Sequence, residues 1–229
     1  MRAVHTEPPT DTGERDGLSY ALFLPAEAPA GGVVVLHGAG SQKENHFDFA
    51  RACSAAGLAA VAFDQRGHGA SDGALDGRAI DDVATIAALL PDGAPVALRG
   101  SSMGGWLALA AGAALDAAAV VAICPASGAQ LRRGLDDRRF PFRADPASLA
   151  PLLETTDLSA AAAALGDRLL LMHAEGDEDV PVEHSRALHA AAPAGRIEVV
   201  PGGHHRSVQH DPDLQALSVR FIAARCGAR

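Results

Sequence analysis

The sequence predicts an α/β fold: a mostly parallel sheet of about seven or eight strands with helices on both faces. Three observations lead there. Short runs at 33–36, 58–63, 96–98, 118–123 and 169–172 are apolar at almost every position, as strands buried on both faces require. Segments with helical apolar spacing lie between them. Strand and helix then alternate from Val33 onward, the order of right-handed βαβ units.

Each element has a local reason. Residues 1–17, with Pro8, Pro9, Gly13 and Gly17, read as loop. Residues 18–24 form an early strand stopped by Pro25, and Pro29, Gly31 and Gly32 make the turn into strand 33–36. Residues 44–56 read as a helix with Phe47, Phe49, Ala50 and Cys53 as apolar positions, followed by strand 58–63. Helix 80–90 gathers Ile80, Val83, Ile86, Ala87 and Leu90 on one face. Strand 96–98 leads through a tight turn into a helix-forming segment that carries Trp106. Strands follow at 118–123, 169–172 and 197–200, and helices at 183–191 and 214–225. Residues 125–166 contain no strand but do contain Pro125, Pro141, Pro146 and Pro151. That is too long for an ordinary connection. A single domain over 1–229 with a small cap insertion at about 125–166 is the expected organisation.

Composition narrows the function classes. The 229 residues are 48% apolar but only 4% aromatic. Alanine-rich helices should therefore pack closely on the sheet. With 19 basic and 28 acidic side chains the net charge is −9, which argues against nucleic acid and anionic membrane surfaces. Cys53, Cys124 and Cys226 are odd in number and far apart, with neither disulfide nor zinc spacing. They read as reduced thiols of a cytoplasmic protein. The N-terminal segment has no apolar stretch of the secretory type. Residues 106–124 are apolar enough to suggest a membrane span, but Asp116 interrupts them and they divide into helix and strand.

The pattern Gly-x-Ser-x-Gly occurs twice, at Gly100-Ser101-Ser102-Met103-Gly104 and at Gly69-Ala70-Ser71-Asp72-Gly73. Context separates them. A strand enters the first and a helix leaves it, whereas Ser71 sits between glycine-rich loops. Ser102 is the candidate nucleophile. A serine hydroxyl needs a base in hydrogen-bond reach, and the base needs an orienting acid. In an open parallel sheet both should lie just past carboxyl ends of strands. After strand 169–172 come His173, Glu175, Asp177, Glu178 and Asp179; after strand 197–200 come Pro201, Gly202, Gly203, His204 and His205. The chain order is serine, acid, histidine.

From about Leu18 to the C-terminus the sequence resembles the α/β-hydrolase superfamily. Five motifs carry the resemblance: His37-Gly38-Ala39-Gly40; Asp64-Gln65-Arg66-Gly67-His68-Gly69-Ala70-Ser71; the Ser102 turn; Gly176-Asp177 with Val180-Pro181; and Gly202-Gly203-His204-His205. By resemblance Asp177 is the triad acid, with Asp179 the alternative. His205 is the base, since the family pattern runs proline, three turn residues, base. Backbone N–H groups of Ala39 and Met103 form the oxyanion hole, and 64–71 is a structural turn beside it. The implied activity is that of a serine hydrolase, a carboxylesterase cleaving a small carboxylic ester, thioester or amide through an acyl-enzyme. Alternatives are an acyltransferase or cofactor-free haloperoxidase-like enzyme, and a catalytically silent binding protein. The implied partner is a small acyl substrate; no cofactor, metal, nucleic acid or membrane is expected.

The other polar residues have plainer readings. His37 is a packed turn residue, His68 structural, and His173 a satisfied core histidine. His5, His46, His184, His189 and His210 read as surface residues, and Arg99 as the partner of a nearby acid, the other option being a contact to substrate. Arg132, Arg133, Arg138, Arg139 and Arg143 read as a solvated surface balanced partly by Asp136 and Asp137, the other option being a cap that attracts an anionic substrate.

Overall fold

The computed structural model describes residues 7–227. Eight strands form one sheet: β1 (Asp11–Arg15), β2 (Leu18–Phe23), β3 (Gly32–Leu36), β4 (Ala59–Phe63), β5 (Val96–Ser101), β6 (Ala119–Ile123), β7 (Leu169–Ala174) and β8 (Arg196–Val200). Their order is β1-β2-β4-β3-β5-β6-β7-β8. The first two strands run antiparallel to their neighbours and the other six are parallel. β3, β4 and β6 are buried at every residue.

Two cores lie on opposite faces of the sheet. On one, α1 (Phe47–Ala55) and α8 (Pro212–Cys226) contribute Phe49, Cys53, Phe221 and Ile222. On the other, α2 (Ala79–Ala87), α3 (Met103–Ala114), α6 (Leu158–Leu165) and α7 (Val182–Ala191) contribute Val83, Ile86, Leu107, Ala162 and Leu188. The helices sit close: a Cβ on Gly112 of α3 would run into Val120 of β6.

Between β6 and β7 the chain forms α4 (Gly128–Asp136) and α5 (Pro146–Thr155) before α6. Ser127 and Gln130 close a reciprocal capping box on α4, while Asp145 and Asp157 cap α5 and α6. Such caps are each worth about 1 kcal/mol.

Two local expectations are corrected. Asp11–Arg15 is strand rather than loop; all five residues are exposed, and the strand is held by its ladder to β2. The helix expected over 44–56 begins instead as a 3-10 turn, Lys43–His46, before α1. His5 lies outside the described residues.

Candidate active site

Ser102 is the single residue between β5 and α3. Its φ of 55° and ψ of −118° lie in the left-handed half of conformational space, a cost of roughly 1–3 kcal/mol for a residue with a Cβ. Surrounding bonds hold it there. Its N–H donates to the Ile123 carbonyl at 2.9 Å, and its carbonyl accepts from Trp106 and Ala126. The flanking glycines are steric necessities: a Cβ on Gly100 would collide with the Gly104 carbonyl, and one on Gly104 with the Leu36 carbonyl. Ser71, in contrast, is buried, donates to the Asp64 carbonyl and accepts from the Ser19 amide.

The loop after β3 reaches the same point. A Cβ built on Gly38 would lie 3.3 Å from Ser102 Cβ. No main-chain hydrogen bond among the described residues uses the Ala39 N–H. Met103 opens α3, so its N–H has no intrahelical partner. His37 braces this loop. Its Nε2 accepts from the Gln65 amide at 3.0 Å, and its Nδ1 donates to the Gly38 carbonyl at 2.8 Å. Burial lowers its pKa to about 4, so the ring is neutral at pH 7. Asp64 supports the neighbouring turn by accepting from the Lys43 amide, Lys43 Nζ and the Ala70 amide. His68 stacks on Phe142, ring centroids 4.1 Å apart.

Asp177 and His205 meet. His205 Nδ1 lies 2.7 Å from Asp177 Oδ2, and the other carboxylate oxygen accepts the amides of Asp179 and Val180, both at 2.9 Å. Burial works against the Asp177 charge, but the Val180 amide and His205 outweigh it, and its pKa lies below the usual carboxylate value. Asp179 is exposed. His204 is exposed as well, its ring nitrogen accepting from the Arg206 amide. His173 is fully buried, with Ser185 and the Val180 carbonyl on its two nitrogens and Asp177 at 3.3 Å.

Ser102, His205 and Ala39 line one cleft of about 360 Å³, with Ser101, Arg206 and Gln209 among its other walls. No hydrogen bond among the described residues joins Ser102 Oγ to His205. Met103, the next residue, lines a separate apolar space with Trp106, Leu131, Phe140 and Phe142.

Several plainer expectations are corrected. Arg99 has no carboxylate partner among the described residues. It is 1% exposed, its guanidinium lies 3.9 Å over the Phe49 ring, and Nη2 donates to the Gln209 carbonyl at 2.7 Å. Gln209 in turn accepts from Ser101 Oγ at 2.7 Å. A charge inside an apolar strand was the visible signal of a special environment; its partner, a carbonyl 110 positions away, left none. His46 is 2% exposed rather than on the surface, with neither ring nitrogen hydrogen-bonded among the described residues. His184 and His189 are half-buried. In the arginine run, Arg132 pairs with Asp136 and Glu154, and Arg139 with Asp137; none of the run lines the Ser102 cleft.

Two groups of residues approach closely enough to share a metal ion, Cys124 with His173 and Asp177, and Asp177 with Asp179 and His205. In the first group both His173 nitrogens and both Asp177 oxygens are hydrogen-bonded, and burial raises the Cys124 thiol. No helix among the described residues is long and apolar enough to cross a membrane.

Residues 27–153 match the family described as serine aminopeptidase, S33. No curated protein matches the chain. Among solved structures, Est1E from Butyrivibrio proteoclasticus with bound ferulic acid is 19% identical, with a TM-score of 0.71 over 95% of this chain and 98% of that one. A monoacylglycerol lipase from Paleococcus ferrophilus is 21% identical, TM-score 0.72, over 91% and 99%. A thermostable carboxyl esterase from Bacillus coagulans, bound to glycerol, is 14% identical, TM-score 0.72, over 94% and 98%.

Proposed function

The chain belongs to the serine aminopeptidase, S33 family, within the α/β-hydrolases, and from that premise we propose that it is a serine hydrolase acting on a small carboxylic ester, thioester or amide. One observation carries the reading: the 2.7 Å hydrogen bond between His205 Nδ1 and Asp177, made in the cleft that Ser102 lines.

In this reading Ser102 Oγ attacks the acyl carbon and passes its proton to His205 Nε2. Asp177 keeps the other ring nitrogen protonated, so that Nε2 is the free base. Charge develops on the carbonyl oxygen, where the N–H groups of Ala39 and Met103 converge; such donors are worth about 3 kcal/mol each. The bond to the leaving oxygen, sulfur or nitrogen then breaks, and His205 returns the proton to it. Water repeats the sequence on the acyl-enzyme. The strained turn contributes by keeping Ser102 Oγ clear of the sheet. Residues 125–166 are read as a cap on this single domain. The close approach of Pro141 to Gly40 and of Arg143 to Gly67 supports that reading. Three buried thiols support a reducing compartment, the cytoplasm.

Labelling with a fluorophosphonate probe tests the proposal, with turnover of esters and thioesters of graded chain length beside it. Ser102→Ala should lose the label and at least roughly 10³-fold in turnover; Ser71→Ala should keep both. Undiminished labelling of Ser102→Ala refutes the reading.

A further inference from the structure

The Ser102 cleft carries an unusual charge balance. The chain has 28 acidic against 19 basic side chains, yet none of the eleven residues lining the cleft is Asp or Glu, and one is arginine. That residue, Arg206, follows His205 directly. It is exposed, and its guanidinium makes no ion pair or hydrogen bond among the described residues.

A second cation stands behind the wall. Arg99 is buried, and no carboxylate lies within ion-pair distance of it among the described residues. Its contacts are the Phe49 ring and the carbonyl of Gln209, and Gln209 and Ser101 both line the cleft. Burial lowers its pKa only to about 10, so it stays charged at pH 7. A charge held in low dielectric acts on the adjoining cleft with little screening. Three carboxylates stand nearby: Asp177 is bonded to His205, Asp48 to His210 and Gln215, and Asp179, within 4.8 Å of the His205 ring, is exposed to solvent.

The side of the cleft also matters. The residue that protonates a leaving group must stand next to it, so the leaving group lies against His205 and the loop that continues through Arg206, Gln209 and His210. We propose that the substrate's leaving group carries an oxyanion, a carboxylate or phosphate, that Arg206 binds in the field of Arg99. The proposal rests on the Ser102–His205 reading, which defines the leaving side. Arginine suits such a partner because its planar fork matches both oxyanions in a bidentate way. The arginine run of the cap, of which Arg132 and Arg139 are in ion pairs and none lines the cleft, is not needed for it.

The test uses esters of one acyl group, the shortest that the protein turns over on a chromogenic ester. The leaving alcohols are a hydroxycarboxylate, glycerol phosphate, a neutral diol and choline. At low salt the better anionic ester should exceed the neutral one in kcat/KM by roughly tenfold, the worth of one charge-assisted hydrogen bond, and mainly through KM. Choline should be the poorest. The anionic preference should shrink as salt rises. Arg206→Gln should bring the anionic-to-neutral ratio near one, and Arg206→Glu should reverse it; Arg196→Gln, at the exposed first residue of β8, should leave it unchanged. The carboxylate and phosphate arms identify which oxyanion is preferred. Ser102 labelling with equal rates for anionic and neutral esters, or a preference that survives Arg206→Gln, overturns the proposal while the hydrolase reading stands. Failure of Ser102 to label, with no ester turned over, overturns both.

Discussion

His46 should make the fold sensitive to mild acid. It lies at the end of the 3-10 turn before α1, buried, with no hydrogen bond to either ring nitrogen among the described residues and the His210 ring stacked 5.8 Å away. Burial, reinforced by the charge of Arg99, lowers its pKa from 6.5 to about 3. The unfolded chain therefore takes up a proton on this ring below pH 6.5, while the native protein does not until near pH 3. Stability is full above the unfolded value and falls as the pH drops through that window. Between about pH 7 and about pH 5 the loss is about 2 kcal/mol from this residue alone. His37, lowered to about 4, adds a similar amount. Together they approach the whole stability of a modest domain. Urea unfolding of wild type and His46→Leu at the two pH values measures this directly. The substitution will change stability at either pH, but the loss between them should be smaller in the variant by about 2 kcal/mol. An unchanged pH dependence would refute the reasoning, because it would mean that His46 is protonated equally in both states.

Two further predictions concern the proposed triad. His205→Ala should inactivate as thoroughly as Ser102→Ala, since triad members act as a unit, whereas His204→Ala should retain most turnover; kcat/KM on a chromogenic ester separates the two, and a reversed order would move the base to His204. Asp177→Asn should keep the far-ultraviolet circular dichroism spectrum but lose most activity, up to roughly 10⁴-fold, because an amide favours the wrong imidazole tautomer. Asp179→Asn should cost little, its side chain being exposed while its backbone amide makes the bond to Asp177.

The apolar strands were legible because β3, β4 and β6 are buried at every position, and such strands advertise themselves. β1 was not, since Asp-Thr-Gly-Glu-Arg has no apolar residue to alternate. Its signal lay just beyond it: Asp16-Gly17, both with positive φ, turn β1 into β2, and an Asp-Gly pair is a strong hairpin cue. Ser102 could be separated from Ser71 by strand and helix context alone. Asp177 and His205 needed the resemblance, because four acids and two histidines compete on their loops. Burial of His46 and the bond from Arg99 to Gln209 were beyond reach. Both depend on how the 205–211 loop lies against α1 and β5, which no local pattern encodes.

The sheet divides the proposed machinery unequally. The serine hangs from β5, flanked by β3 and β6 near the middle of the order, whereas the base follows β8, an outer strand with no residue fully buried. Edge strands open at lower free energy than central ones. A partial opening that released β8 would carry His205 away and leave the serine turn intact. The protein could then stand folded and inert, its nucleophile assembled but without a base. Any perturbation that loosens this rim would act as a brake on turnover well before it threatened the core.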